Sequence, residues 1–275
     1  MTRVALFQAT SGIDPAANAR SLTGAIEQAS AGGAEMLFTP EMTGLLDRDS
    51  SRAAKVLRVQ DEDEVLAAAT EAAARHRIWV HIGSLAVLVG DGKVANRSFV
   101  IDREGNVRGT YDKLHLFDVD LPTGESWRES NTYSPGAGVT LLNGTPVGKF
   151  GLTICYDLRF PGLFARLAES DADVIAVPAA FTVPTGKAHW HVLLRARAIE
   201  AGLFVIAAAQ VGHHEDGRNT YGHSLVVDPW GEVLLDMGDE RGVGFAEIDL
   251  KRISEVRSRI PALNHRRPIP DAVTL

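Results

Sequence analysis

Phe150-Gly151-Leu152-Thr153-Ile154-Cys155-Tyr156-Asp157-Leu158-Arg159-Phe160-Pro161 compresses three elements into one short run. Phe150 to Ile154 reads as a buried strand, Cys155-Tyr156-Asp157 as a sharp turn, and Phe160-Pro161 as the start of a helix, where proline is at home. Strand, turn and helix in this order lift a side chain to the end of a sheet, beside the unpaired N–H groups of the helix start. Cys155 is the chain's single cysteine. Two readings stay open from the residues alone. One is a buried structural thiol. The other is a nucleophile, its pKa lowered from about 8.5 by a positive neighbour or by the helix start.

Outward from this run, short apolar strands alternate with helical patterns. Upstream, Val4 to Gln8 is a strand. Asp14 and Pro15 cap and open a helix that Gly32-Gly33 ends, its apolar stripe being Leu22, Ala25, Ile26 and Ala29. Glu35 to Thr39 is a strand stopped by Pro40. Asp61 to Arg77 reads as a helix with acids first and Arg75 and Arg77 last, as the macrodipole prefers. Ile78 to Val89 returns to strand and begins a hairpin region, with Asp91-Gly92 and Glu104-Gly105-Asn106 as turns. Lys113 to Gly138 has no period, which marks a functional segment inside a compact domain. Val147 to Ile154 is a strand and Pro161 to Ser170 a helix. Downstream come a strand at Asp173 to Pro178, a helix over Lys187 to Ala201, and strands at Leu203–Gln210, His223–Asp228, Val233–Asp236 and Val243–Ile248. No linker or charge block interrupts them, so residues 1–275 read as a single α/β domain of sheets covered by helices.

Composition narrows the function. Of 275 residues, 28 are Lys or Arg and 35 Asp or Glu, a net charge of −7, with no basic block to suggest nucleic acid or an anionic membrane. The longest apolar runs, such as Leu203 to Ala209, are far shorter than a membrane span. Val4 to Phe7 is too short for a signal-peptide core. A lone thiol supports neither an internal disulfide nor a multi-thiolate metal site. The expectation is a cytoplasmic protein, in which the sequons Asn96-Arg97-Ser98 and Asn143-Gly144-Thr145 carry no sugar.

Candidate reactive groups gather at strand ends. Glu41 follows Met36-Leu37-Phe38-Thr39-Pro40 and Lys113 follows Tyr111-Asp112. Each alone reads as a solvated terminus. With Cys155 they are a carboxylate, an ammonium and a thiol at three strand carboxyl ends, where α/β sheets bind ligands. His189 reads as opening a helix or lining a pocket. His213-His214-Glu215-Asp216 reads as a solvated loop, because adjacent residues on an extended segment point apart and rarely share one metal ion.

Phe38-Thr39-Pro40-Glu41, Tyr111-Asp112-Lys113-Leu114-His115-Leu116 and Gly151 to Pro161 resemble, in order, the three motifs of the nitrilase, or carbon–nitrogen hydrolase, superfamily. The resemblance spans Ala5 to about Asp249. Phe117 to Pro122, Gly186 to Trp190 with Leu193 to Glu200, and Tyr221 to Ser224 with Asp228 to Gly231 are similar to its branch of amidases acting on deaminated glutathione; the ω-amidase branch is the near relative. The resemblance implies a four-layer αββα sandwich, a Glu41–Lys113–Cys155 triad, and a second glutamate at Glu129, with Glu125 as the fallback. It also implies hydrolysis of a small linear amide to acid and ammonia, with no metal or organic cofactor, by a homodimer or higher homo-oligomer.

In that chemistry Glu41 acts as general base, which requires its pKa to be raised, by burial or by Glu129. Cys155 forms a thioester, and Lys113 with the Tyr156 N–H holds the oxyanion. Arg159 either pairs a substrate carboxylate or forms an ion pair with Asp157 or a helix-end acid. Tyr156, Arg159 and His189 are the expected substrate contacts. Three rivals stay open: an N-carbamoylase or nitrilase of the same superfamily, an inactive binding protein, and a metallohydrolase built on His213, His214 and His223.

Overall fold

The computed structural model describes residues 1–120, 124 and 126–274; Glu125 and the Leu121-Pro122 part of the segment above lie outside them. The first strands are β1 (Thr2–Gln8), β2 (Met36–Phe38), β3 (Trp79–Leu88), β4 (Val94–Ile101) and β5 (Val107–Asp112). A hairpin of β6 (Asp118–Asp120) and β7 (Ser126–Arg128) precedes β8 (Leu141–Thr145), β9 (Gly148–Leu152), β10 (Val174–Ala176) and β11 (Phe204–Ala207). A second hairpin, β12 (Val211–His213) with β13 (Asn219–Tyr221), is followed by β14 (Leu225–Val227), β15 (Val233–Asp236) and β16 (Gly242–Ile248). The helices are α1 (Pro15–Ala31), α2 (Ser50–Ala53), α3 (Glu64–His76), α4 (Pro161–Glu169), α5 (Val183–Ala201) and α6 (Lys251–Arg259).

Two six-stranded sheets result, ordered β16-β1-β2-β3-β4-β5 and β15-β14-β11-β10-β9-β8. Each has three parallel strands at its heart, β1-β2-β3 and β9-β10-β11, flanked by antiparallel ones. The period of two along each strand assigns the layers. Val4, Leu6, Met36 and Phe38 face the second sheet, while Ala5, Phe7, Leu37 and Val80 pack under α1 and α3. On the second sheet, α4 and α5 contribute Leu163, Phe164, Leu167, Trp190 and Leu194. The architecture is an αββα sandwich. Phe150 joins the sheets, its ring edge-on to Phe38 at 5.6 Å and to His81 at 5.2 Å. Burial pushes the His81 pKa down to about 3, so the imidazole stays neutral between the sheets, 2.8 Å from the Ser98 hydroxyl.

Several boundaries depart from the sequence reading. The helix expected at Asp61 starts at Glu64, because Asp63 is the residue whose carboxylate accepts the N–H groups of Val65 and Leu66 at 3.0 and 2.8 Å. The helix expected at Lys187 starts at Val183, with Pro184 in its first turn. Gly186 belongs to that turn because the Tyr221 ring occupies the space a Cβ would need. His189 therefore lies in the second turn and does not open the helix. The stretch 113–138 is not structureless: Val119 pairs with Trp127 across the β6–β7 hairpin. Strands of three residues with acids and an arginine at their ends carry no hydrophobic period. The strand expected over Leu203–Gln210 ends at Ala207, and Ala209 and Gln210 leave the sheet to bridge Ala179 and Ala9. His214 is no solvated loop residue: it is fully buried, with Nδ1 2.9 Å from the Ser11 carbonyl and Nε2 2.7 Å from the Thr220 hydroxyl.

One glycine couples the fold to the strand ends. β3 bulges between Ile82 and Leu85, and a Cβ on Gly83 would collide with the carbonyl oxygens of Thr39 and Pro40 and with Pro178. Only hydrogen at that position lets these chain segments approach. Gly83→Ala is expected to cost about 1–3 kcal/mol in urea denaturation and to lower kcat by displacing Glu41. Wild-type stability and turnover in this variant would contradict the close approach.

Candidate active site

Three strand ends deliver three reactive groups to one place. Glu41 follows β2 by way of Thr39-Pro40, Lys113 directly follows β5, and Cys155 lies just past β9. Lys113 Nζ is 3.0 Å from Glu41 Oε1 and 2.8 Å from Glu129 Oε2. Asn96, on the neighbouring β4, donates from Nδ2 to Glu41 Oε1 at 2.9 Å and to Glu129 Oε1 at 3.1 Å. The other Glu41 oxygen accepts the Ala180 N–H at 3.0 Å, and the Cys155 thiol is near enough to act on the carboxylate's pKa. Glu41, Lys113 and Cys155 are 5%, 2% and 8% exposed, so water neither screens nor replaces these contacts.

The turn that presents Cys155 is strained and pinned. Its φ is +48°, a left-handed value that side chains rarely adopt. Its N–H donates to the Pro178 carbonyl at 2.8 Å. Asp157, fully buried, accepts the Ile154 N–H at 2.9 Å and the Tyr111 hydroxyl at 2.7 Å on Oδ2. Its Oδ1 accepts the His115 N–H at 3.1 Å and lies 2.7 Å from His115 Nδ1. One carboxylate thus ties the nucleophile turn to the strand end carrying Lys113. The Tyr156 N–H, next in the chain to Cys155, shows no backbone acceptor among the described residues.

Electrostatics correct one expectation. Burial by itself would push the Glu41 carboxyl up. The Lys113 charge and the hydrogen bonds from Cys155, Lys113 and Asn96 reverse that and hold it below the usual carboxylate range. Glu129, which shares Lys113 and Asn96 with it, does not turn the shift upward. The Cys155 thiol is pushed well up, by burial first and by the Glu41 charge next, with Lys113 opposing. Lys113 is held well above its usual value: burial would lower it, but Glu129 and Glu41 outweigh burial. The resting site is therefore thiol, carboxylate and ammonium. Glu41 is held ionised near the thiol whose proton it would remove, so it is suited to a general base that acts during attack.

Above this floor lies a cavity of about 810 Å³. Tyr156 and Arg159 line it, as do Phe117, Trp127, Tyr133 and Phe181. Of the two readings of Arg159, the ion pair with Asp157 does not form, since Asp157 is engaged by Tyr111, His115 and Ile154. Both terminal nitrogens of Arg159 instead lie 3.3 Å from His189 Nδ1, and its guanidinium sits over the Tyr156 and Phe181 rings. His189 is exposed on α5 and reaches the site only through Arg159. His213, His214 and His223 do not converge: they meet Asn219, Ser11 with Thr220, and Asp236, respectively. Asn96 and Asp157 were missed as site residues. Asn96 stands in the sequon set aside above, and nothing local distinguishes an inward Asn on a buried strand from any other.

The fold and this floor define a hydrolase with a thiol nucleophile, and similarity to known proteins supports it. Residues 3–258 match the family described as carbon–nitrogen hydrolase. The deaminated glutathione amidase of Yersinia enterocolitica is 37% identical over 273 residues, 98% of this chain and 94% of its own. The C. elegans NitFhit protein superimposes with a TM-score of 0.87 at 37% identity over 97% of this chain and 65% of that one. An amidase from Nesterenkonia sp. AN1, with acrylamide added to its active-site cysteine, gives 0.79 at 26% identity over 95% and 98%. The chain belongs to the carbon–nitrogen hydrolase family, hydrolases of carbon–nitrogen bonds other than peptide bonds. None of its described helices is long and apolar enough to cross a membrane.

Glu41→Gln separates the two charges that act on the thiol. It removes the negative charge that raises the Cys155 pKa and leaves the Lys113 charge that lowers it. Iodoacetamide alkylation of Cys155 should then shift to lower pH and be faster than wild type at pH 7, while amide turnover falls about 10²–10⁴-fold. An unmoved alkylation profile would show that Glu41 does not govern the thiol.

Proposed function

We propose that this chain is an amidase that hydrolyses a small linear carboxamide through a thioester on Cys155, with deaminated glutathione or a related ω-amide as substrate. The observation that carries the reading is the buried contact of Glu41, Lys113 and Cys155 on the cavity floor. Glu41 takes the thiol proton as Sγ attacks the amide carbonyl. Lys113 Nζ and the Tyr156 N–H hold the oxyanion, donors worth about 3 kcal/mol each in other hydrolases. Glu41 passes its proton to the departing nitrogen, which leaves as ammonia from an unsubstituted amide or as an amine from a substituted one. It then takes a proton from the water that attacks the thioester, and the acid is released. Glu129 and Asn96 hold Lys113 and Glu41 in register. Arg159, without a carboxylate partner among the described residues, takes the acid group of the acyl part. The reaction as written uses no metal or organic cofactor.

The test is a panel of ω-monoamides of dicarboxylic keto acids, including deaminated glutathione, followed by release of ammonia or amine. Wild type should turn over at least one, and Cys155→Ala none while keeping the wild-type melting temperature. Carbon dioxide among the products would favour a carbamoylase instead.

The same reading makes the protein a cytoplasmic homodimer or higher homo-oligomer. What supports association is an apolar groove lined by Ile199, Trp230 and Ile260, each half exposed or more. Ile199→Asp is expected to lower the sedimenting mass toward the monomer. A wild type that sediments as a monomer at micromolar concentration would refute it.

A further inference from the structure

The cavity is larger than an unsubstituted amide needs, and one wall is cationic without a job in the reaction above. That wall carries Arg48, Trp127 and Arg218. The two guanidinium carbons lie 5.5 and 5.1 Å from the Trp127 ring centroid, within the range of cation–π attraction. Asp216, whose side chain is fully buried, anchors the Arg218 side chain and the Arg48 backbone. Its Oδ2 accepts the Arg48 backbone N–H at 2.9 Å and Arg218 Nε at 2.6 Å, and its Oδ1 accepts the Arg218 backbone N–H at 3.0 Å.

The anchoring leaves donors unspent. Among the described residues, the Arg48 guanidinium has no hydrogen bond or ion pair, and the terminal nitrogens of Arg218 donate to no carboxylate. Asp47, next to Arg48, does not neutralise it, because its carboxylate is held by Arg52 at 2.6 and 2.7 Å. Neither arginine bonds to Glu41, Lys113, Glu129 or Cys155, so this wall is separate from the floor. Guanidinium groups stacked on an aromatic ring and lining a cavity are suited to a carboxylate.

We propose that Arg48 and Arg218, held against Trp127, form a subsite for a carboxylate borne on the nitrogen substituent of the substrate amide. The chain then favours N-substituted amides that end in an anion over unsubstituted ω-amides. This rests on the amidase reading above and assigns the second anionic end of the substrate, Arg159 taking the first. Deaminated glutathione, whose amide nitrogen carries a tail ending in a glycine carboxylate, is a substrate of this class.

The test compares three compounds on wild type, Arg48→Gln and Arg218→Gln: deaminated glutathione, its analogue with the glycine carboxylate capped as an amide, and an unsubstituted ω-amide of the same keto acid. Arg48→Gln breaks no hydrogen bond or ion pair among the described residues and gives up only the stacking on Trp127 at an exposed position, so the fold is expected to survive it. With deaminated glutathione, KM should rise about tenfold or more in either variant, with kcat nearly unchanged, the loss of one charged hydrogen bond. The capped analogue should show the high KM already in wild type, and the unsubstituted amide should be indifferent to both substitutions. Equal wild-type KM for the carboxylate and its cap, or an equal loss on the unsubstituted amide, would overturn the subsite. Calorimetry on Cys155→Ala, with and without Arg48→Gln, reads the same preference as binding. Wild type that hydrolyses none of the three refutes the amidase reading, whereas equal binding of the carboxylate and its cap refutes the subsite.

Discussion

A single buried ammonium, that of Lys113, sets the terms for everything around it. Stripped of water, it is stable only between Glu41 and Glu129, and they in turn are stable only beside it. Removing one partner of such a set typically costs about 3–5 kcal/mol, because an uncompensated charge stays buried. Asn96 completes the arrangement by donating to both carboxylates from one amide nitrogen. The chemistry follows from the charges: a base kept ionised, a thiol kept protonated and in contact with it, and a cation that cannot leave.

Holding these groups in register is the work of the two sheets. Glu41 and Lys113 come from the first sheet and Cys155 from the second, so the site exists only where the sheets face each other. Phe38, His81 and Phe150 fill the gap between them. Asp157 spans the two by bonding Tyr111 and His115 on one side and Ile154 on the other. Gly83 lets the loops after β2 and β10 meet. The left-handed backbone at Cys155 persists because these contacts over-determine it.

The cavity above the floor is chemically divided. Aromatic rings make most of its wall, and guanidinium groups at Arg159 and at the Arg48–Arg218 pair stand at separate places on it. A floor built for one bond and walls built for charge place reaction and selectivity on different residues. Substitutions in the walls should therefore change which amide is taken more than how it is cleaved.

The residues alone carried the strand-by-strand alternation and the placing of Glu41, Lys113 and Cys155 at three strand ends, while the αββα sandwich and the union of the three in a triad were legible through the motif resemblance. The strand-end placement is a local fact: an apolar run ends, and a reactive residue follows within three positions. Glu129 had no strand end to mark it and rested on the resemblance entirely, since its own stretch has no period. Asn96, Asp157, Arg48 and Arg218 were silent, because each acts on a partner distant in the chain and looks locally like a strand polar residue, a turn acid or a loop cation. The start of α5 was hidden by Pro184 and Gly186, whose place depends on the ring of Tyr221. Only the tertiary structure decided the sign of the Glu41 and Cys155 pKa shifts. Sequence can say that a carboxylate is buried, but the outcome depends on whether an ammonium arrives 3.0 Å away, and that is a property of two strands meeting in space.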